Sequence, residues 1–136
     1  MLKWIVAYLA TGAAMAVVDF GWLTTMTDRL YKPIIGPIMT PQPDMVAAVA
    51  FYLIYIGGVV FLAVAPALKE GAWTRAAING AALGFVAYAT YDLTNQATLA
   101  VWQWKLTIID LCWGTFLTTA AATLGYLATR AVAGRT

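Results

Sequence analysis

Residues 85–113 read FVAYATYDLTNQATLAVWQWKLTIIDLCW, and this stretch decides the fold. Two acids, Asp92 and Asp110, an amide, Asn95, and several aromatic residues stand inside long apolar runs. Asp92 falls near the end of one run and Asp110 near the start of the next, with Trp102, Trp104 and Lys105 between them. An ionisable group at the centre of a membrane helix costs about 2.5–3.5 kcal/mol on insertion scales, which makes such residues candidates for a function. The stretch therefore reads as the end of one membrane helix, a short turn, and the beginning of another.

The composition agrees. Of 136 residues, 62% are hydrophobic and 10% charged, against roughly 45–50% and 25% in soluble domains. The length allows one domain. A net charge of +2, scattered along the chain, argues against nucleic-acid binding. Histidine and serine are both absent, which excludes Ser–His–Asp chemistry and histidine metal sites. The single cysteine, Cys112, lies within an apolar run, and it reads as an inert small residue.

Outward from the central stretch, four spans emerge: residues 2–23, 45–68, 73–99 and 106–129. The first also has the outline of a signal peptide, but no small-x-small cleavage site follows it, which favours a membrane helix. Residues 24–44 carry Pro33, Pro37, Pro41 and Pro43. The sequence predicts that this connection leaves the helix and lies along the interface, or folds back over the helix ends. Asp44 is placed to cap the second span. Gly57-Gly58, the Gly80-x-x-x-Gly84 pair and a stripe of Gly114, Thr118, Ala121 and Gly125 mark packing faces. Thr118, Thr119 and Thr123 are expected to bond back to their own helix. Trp4, Trp73, Trp102 and Trp104 are expected in the aromatic belt, with Tyr8 and Tyr126 as inner interface anchors.

The resulting fold class is an all-α integral membrane protein, with four transmembrane helices in an antiparallel bundle. Lys3, Lys69, Arg75, Arg130 and Arg135 fall on the side of both termini, against Arg29, Lys32 and Lys105 on the other. The positive-inside rule then places both termini in the cytoplasm.

A helical rise of about 1.5 Å per residue puts Asp19 about 24 Å beyond Lys3 and Asp92 about 25 Å beyond Arg75. Asp110 lies about 8 Å in from Lys105. Four helices thus bring polar residues to one depth near the outer surface. Tyr88, Tyr91, Asp92 and Asn95 share one helix face. Asp19 with Trp22, Asp110 with Trp113, and Tyr52 with Tyr55 repeat an i, i+3 spacing that sets each pair on one face. Turned inward, these ten residues would enclose an acid–aromatic pocket. A plainer role for the acids is to hold the bundle together by pairing with Arg29, Lys32, Lys105 or tyrosine hydroxyls.

Three chemistries fit acids without histidine. A divalent cation held by carboxylates could serve a lipid-modifying enzyme, although no acidic motif of the expected density is present. A small or lipid-like ligand, cationic or flat and apolar, could be bound or moved, with proton coupling through a buried acid. Movement by only four helices would require a homo-oligomer. The third is an assembly subunit with no ligand. No cofactor is expected, and the leaning is away from an enzyme.

The series Asp19-x-x-Trp22-Leu23, Tyr52-x-x-Tyr55-x-x-Gly58, Tyr91-Asp92-Leu93-Thr94-Asn95 and Asp110-x-x-Trp113-Gly114 resembles the bacterial membrane family known as domain of unknown function 2177. The resemblance extends over essentially the whole chain. It implies a four-span bacterial inner-membrane protein and carries no catalytic residues with it.

Overall fold

The computed structural model describes residues 1–134, so Arg135 lies outside the described residues. Among these the chain is helical, with no strand. Helix α1 (Leu2–Met26) runs through a π turn (Thr27–Tyr31) into α2 (Lys32–Ile35) and a 3-10 turn (Gly36–Ile38). Helix α3 (Met45–Val59) passes through a second π turn (Val60–Val64) into α4 (Ala65–Glu70). Helices α5 (Trp73–Thr98) and α6 (Trp104–Ala133) complete the bundle.

The largest departure from expectation concerns residues 24–44. Helical structure continues to Ile38, and only residues 39–44 form an open connection. The reason is the π turn. Proline has no N–H to donate, and its ring collides with the carbonyl four residues back in a regular helix. The wider turn, closed from the Lys32 N–H to the Thr27 carbonyl, stands immediately before Pro33. The second π turn, closed from Ala65 to Val60, stands in the same relation to Pro66. Each bulge thus precedes a proline that would otherwise break its helix. Pro66 leaves the Leu62 carbonyl without its helical donor, and the Asn79 amide of α5 donates to it at 2.9 Å.

Other helix ends follow local chemistry. Asp44 caps α3 by accepting from the Val46 and Ala47 amides. Gly71, at φ 79°, closes α4 in the left-handed conformation, and α5 begins two residues later.

Helix α6 is the axis of the bundle, packing along α1 on one side and α5 on the other. Close approach to α5 rests on small residues. A Cβ added at Gly84 would stand 2.8 Å from the Thr118 side chain and closer still to the Gly114 carbonyl. Gly57 and Gly58, by contrast, mark no tight helix contact: Gly57 meets the Tyr8 ring only at van der Waals distance, and nothing lies near Gly58.

The interior is apolar but holds a group of buried polar side chains, and large apolar ones stand outside. Asp92, Thr11, Thr107, Thr118 and Thr129 are among the largest fully buried side chains, while Phe20, Val46, Ile54 and Phe61 stand outside. That arrangement suits a surface facing hydrocarbon. Three segments, Leu2–Ile38, Met45–Glu70 and Trp104–Ala133, are long and apolar enough to cross a membrane. At 26 residues α5 has the length, but its polar stripe lowers its hydropathy below theirs.

Two interface assignments change. Trp102 is buried against Leu30, Ile34 and Leu106, and its indole donates to the Thr107 hydroxyl at 3.0 Å. Tyr126 is buried in the main core with Ala7 and Leu68. Trp4, Trp73 and Trp104 are exposed as expected, whereas the Tyr8 hydroxyl bonds the Leu53 carbonyl of α3.

Candidate functional site

All three membrane-depth acids are buried: Asp19 at 7%, Asp92 at 0% and Asp110 at 4% exposure. None has a cationic partner. The ion pairs among the described residues are Asp28–Lys32 and Glu70–Arg75, both exposed. Of the partners expected for these acids, Arg29, Lys32 and Lys105 make no pair with them, Lys32 being engaged by Asp28 one turn away, whereas tyrosine hydroxyls do.

Phenols and an indole take the place of cations. The Tyr52 hydroxyl of α3 donates to one oxygen of Asp19, and the Trp113 indole of α6 donates to the other at 3.2 Å. The Tyr31 hydroxyl donates to Asp110 at 2.5 Å and accepts from the Trp22 indole at 2.9 Å. The indoles of Trp22 and Trp113 stack with centroids 4.2 Å apart and planes 7° from parallel. Each tryptophan thus engages the opposite helix rather than the acid on its own turn. Tyr55 bonds Thr118 at 2.8 Å, so Thr118 serves the interhelical contact, whereas Thr119 and Thr123 bond back to their own helix.

These groups wall a cavity of about 440 Å³, lined by Asp19, Leu23, Tyr31, Phe51, Tyr52, Tyr55, Ala87, Tyr88, Tyr91, Asp110 and Trp113. The volume falls in the usual range for small-molecule sites. Seven of the ten residues picked out from the sequence line it: Asp19, Tyr52, Tyr55, Tyr88, Tyr91, Asp110 and Trp113. Trp22 supports it from behind through the stack on Trp113. Asp92 and Asn95 lie outside the lining. Asp92 is nevertheless close, because its carboxyl is hydrogen-bonded to that of Asp110, and no other group donates to its oxygens.

Tyr31, Leu23, Phe51 and Ala87 were not foreseen. Tyr31 is the consequential one, because the π turn swings the connection inward and delivers its hydroxyl to Asp110. Gly114 is a condition of the site. Its missing side chain leaves the space that the Tyr88 ring occupies. No group of three or more His, Cys, Asp or Glu among the described residues is arranged to hold a metal ion.

Apolar outer faces, three candidate spans and a buried polar cluster define a membrane protein built as a helical bundle. Residues 4–127 match the family described as predicted membrane protein (DUF2177), and the chain belongs to that family. No curated protein and no solved structure matches the chain.

Proposed function

We propose that the chain is a four-span protein of the bacterial inner membrane that binds or moves a small or lipid-like ligand in the acid–aromatic cavity. In this reading α5 is the fourth span. Its 26 residues reach about 39 Å at the helical rise, and Asp92 on its polar stripe is turned inward. The helices run antiparallel, which is supported by two contacts between α1 and α6. Thr11 meets Gly125, and Trp22 meets Trp113. The basic residues Lys3, Lys69, Arg75 and Arg130 then share the cytoplasmic side, and the cavity lies toward the opposite one.

The observation that carries the proposal is the cavity itself. Side chains from four helical segments converge on one space, where two buried acids line the wall and a third, Asp92, stands behind Asp110, none with a cationic partner. A purely structural cluster would be expected to close on itself. Asp19 is satisfied by phenol and indole donors, whereas Asp92 meets only the Asp110 carboxyl. The lipid-modifying enzyme reading is weaker, because the acids do not gather as a ligand set for a divalent cation.

The test is organic extraction of protein purified in nonionic detergent, followed by mass spectrometry of the extract. A molecule enriched with the wild type and depleted with Asp110→Asn at equal folded yield is the expected result. Identical extracts from both would count against the proposal.

A further inference from the structure

The class of ligand follows from what the cavity lacks, and the route of entry from how its walls meet. Its lining contains two carboxylates and seven aromatic rings, but no lysine or arginine. A third acid, Asp92, stands behind Asp110 with no exposure and shares a side-chain hydrogen bond with it. An anionic ligand would meet uncompensated negative charge in a medium that screens it poorly. A neutral one would leave that charge unanswered. A cation meets carboxylates and ring faces together, the arrangement that recognises amines and quaternary ammonium groups.

The walls are unequal. Helix α5 packs against Val60–Val64 and α4, whereas along the cavity α3 and α5 stand apart. Phe51 of α3 and Ala87 of α5 line the cavity from these two helices, and Ile54 and Val86, farther out on the same helices, are exposed. Apolar side chains at the rim and polar groups inside suit a molecule with two ends.

We propose, building on the binding reading above, that the cavity holds the cationic head of an amphiphile. The head is an amine or quaternary ammonium group that enters sideways between α3 and α5 and leaves its alkyl chain along their outer faces. A membrane lipid and a free alkylamine share this chemistry, and a tail-less cation is the control that separates both from a water-soluble amine.

The experiment titrates wild-type protein in nonionic detergent with decyltrimethylammonium, decanol, decanoate and tetramethylammonium. Tryptophan fluorescence reports, since the Trp22–Trp113 stack adjoins the cavity. The expected result is saturable binding of decyltrimethylammonium, with half-saturation about tenfold below that of decanol, decanoate and tetramethylammonium. Asp110→Asn should weaken it by about tenfold, while Phe61→Leu, on the outer surface, should not. Equal binding of decanol would show that charge is not read. Equal binding of tetramethylammonium would assign the site to a soluble cation. Either result overturns this inference and leaves the cavity a binding site. A lack of saturable response to every probe would overturn the binding reading as well. The comparison among ligands uses the wild type alone, so a variant that fails to fold does not blunt it.

Discussion

The hydroxyl of Tyr31 donates to Asp110 at 2.5 Å across 79 residues of chain. That bond ties the proline-bearing connection to α6 and makes it a wall of the cavity. The same hydroxyl accepts from Trp22 at 2.9 Å, so Tyr31 links an indole to a carboxylate. Tyr31→Phe deprives both partners at once. Leaving a buried polar group unsatisfied costs about 1–3 kcal/mol, and thermal unfolding in detergent should show a loss of that order. An unchanged transition would mean that water replaces the phenol and that the connection is not held there.

Asp92 makes the opposite prediction. It is fully buried, and its one polar contact is the Asp110 carboxyl, with no other donor reaching it. Asp92→Asn keeps the shape, removes the charge and adds an N–H that can reach Asp110. Its unfolding temperature should equal or exceed that of the wild type. A marked fall would reveal a further partner for the carboxylate.

The pairing of Asn79 with the carbonyl that Pro66 strands can be measured as a coupling. Asn79→Ala alone should destabilise by about 1–3 kcal/mol. In a Pro66→Ala background the restored N–H can serve Leu62, so the same change should cost less. A double-mutant cycle should return a coupling of about 1 kcal/mol. Strict additivity would dissolve the link.

These residues also show what could be read in advance and what could not. The positions of the long helices followed from hydropathy, and Asp19, Asp110, Tyr52, Tyr55, Tyr88, Tyr91 and Trp113 followed from helical spacing, because rise and periodicity are properties of the isolated helix. The continuation through residues 27–38 did not follow. Proline density signals a break, whereas a π turn that absorbs the proline is chosen by packing. Tyr31 was lost with it, since one extra residue in a turn changes the face on which everything downstream falls. The missing ion pairs had a related cause. Arg29, Lys32 and Lys105 are near in sequence, but their long side chains find water or Asp28 outside, and shorter phenols already occupy the interior. Trp102 and Tyr126 looked like belt residues because composition does not distinguish an aromatic at the boundary from one folded beneath it.

The arrangement of the helices across the membrane is open to direct test. In a Cys112→Ala background, a cysteine at Gln42, in the open connection, should react with a membrane-impermeant maleimide in intact cells. One at Glu70 should react only after permeabilisation. The reverse pattern would invert the topology, and labelling of both from outside would remove the Met45–Glu70 segment as a span.

The central claim is that the cavity is a ligand site and not an accident of packing. Ala87 lines it without touching the acid network, so Ala87→Trp fills the space and leaves the hydrogen bonds of Asp19 and Asp110 in place. Native mass spectrometry of the two proteins, released from the same nonionic detergent, is the most direct measurement. The account predicts a bound mass on the wild type that is absent from the variant, with folded yield and oligomeric state unchanged. The same bound mass on both, or a clean mass for both, would contradict it.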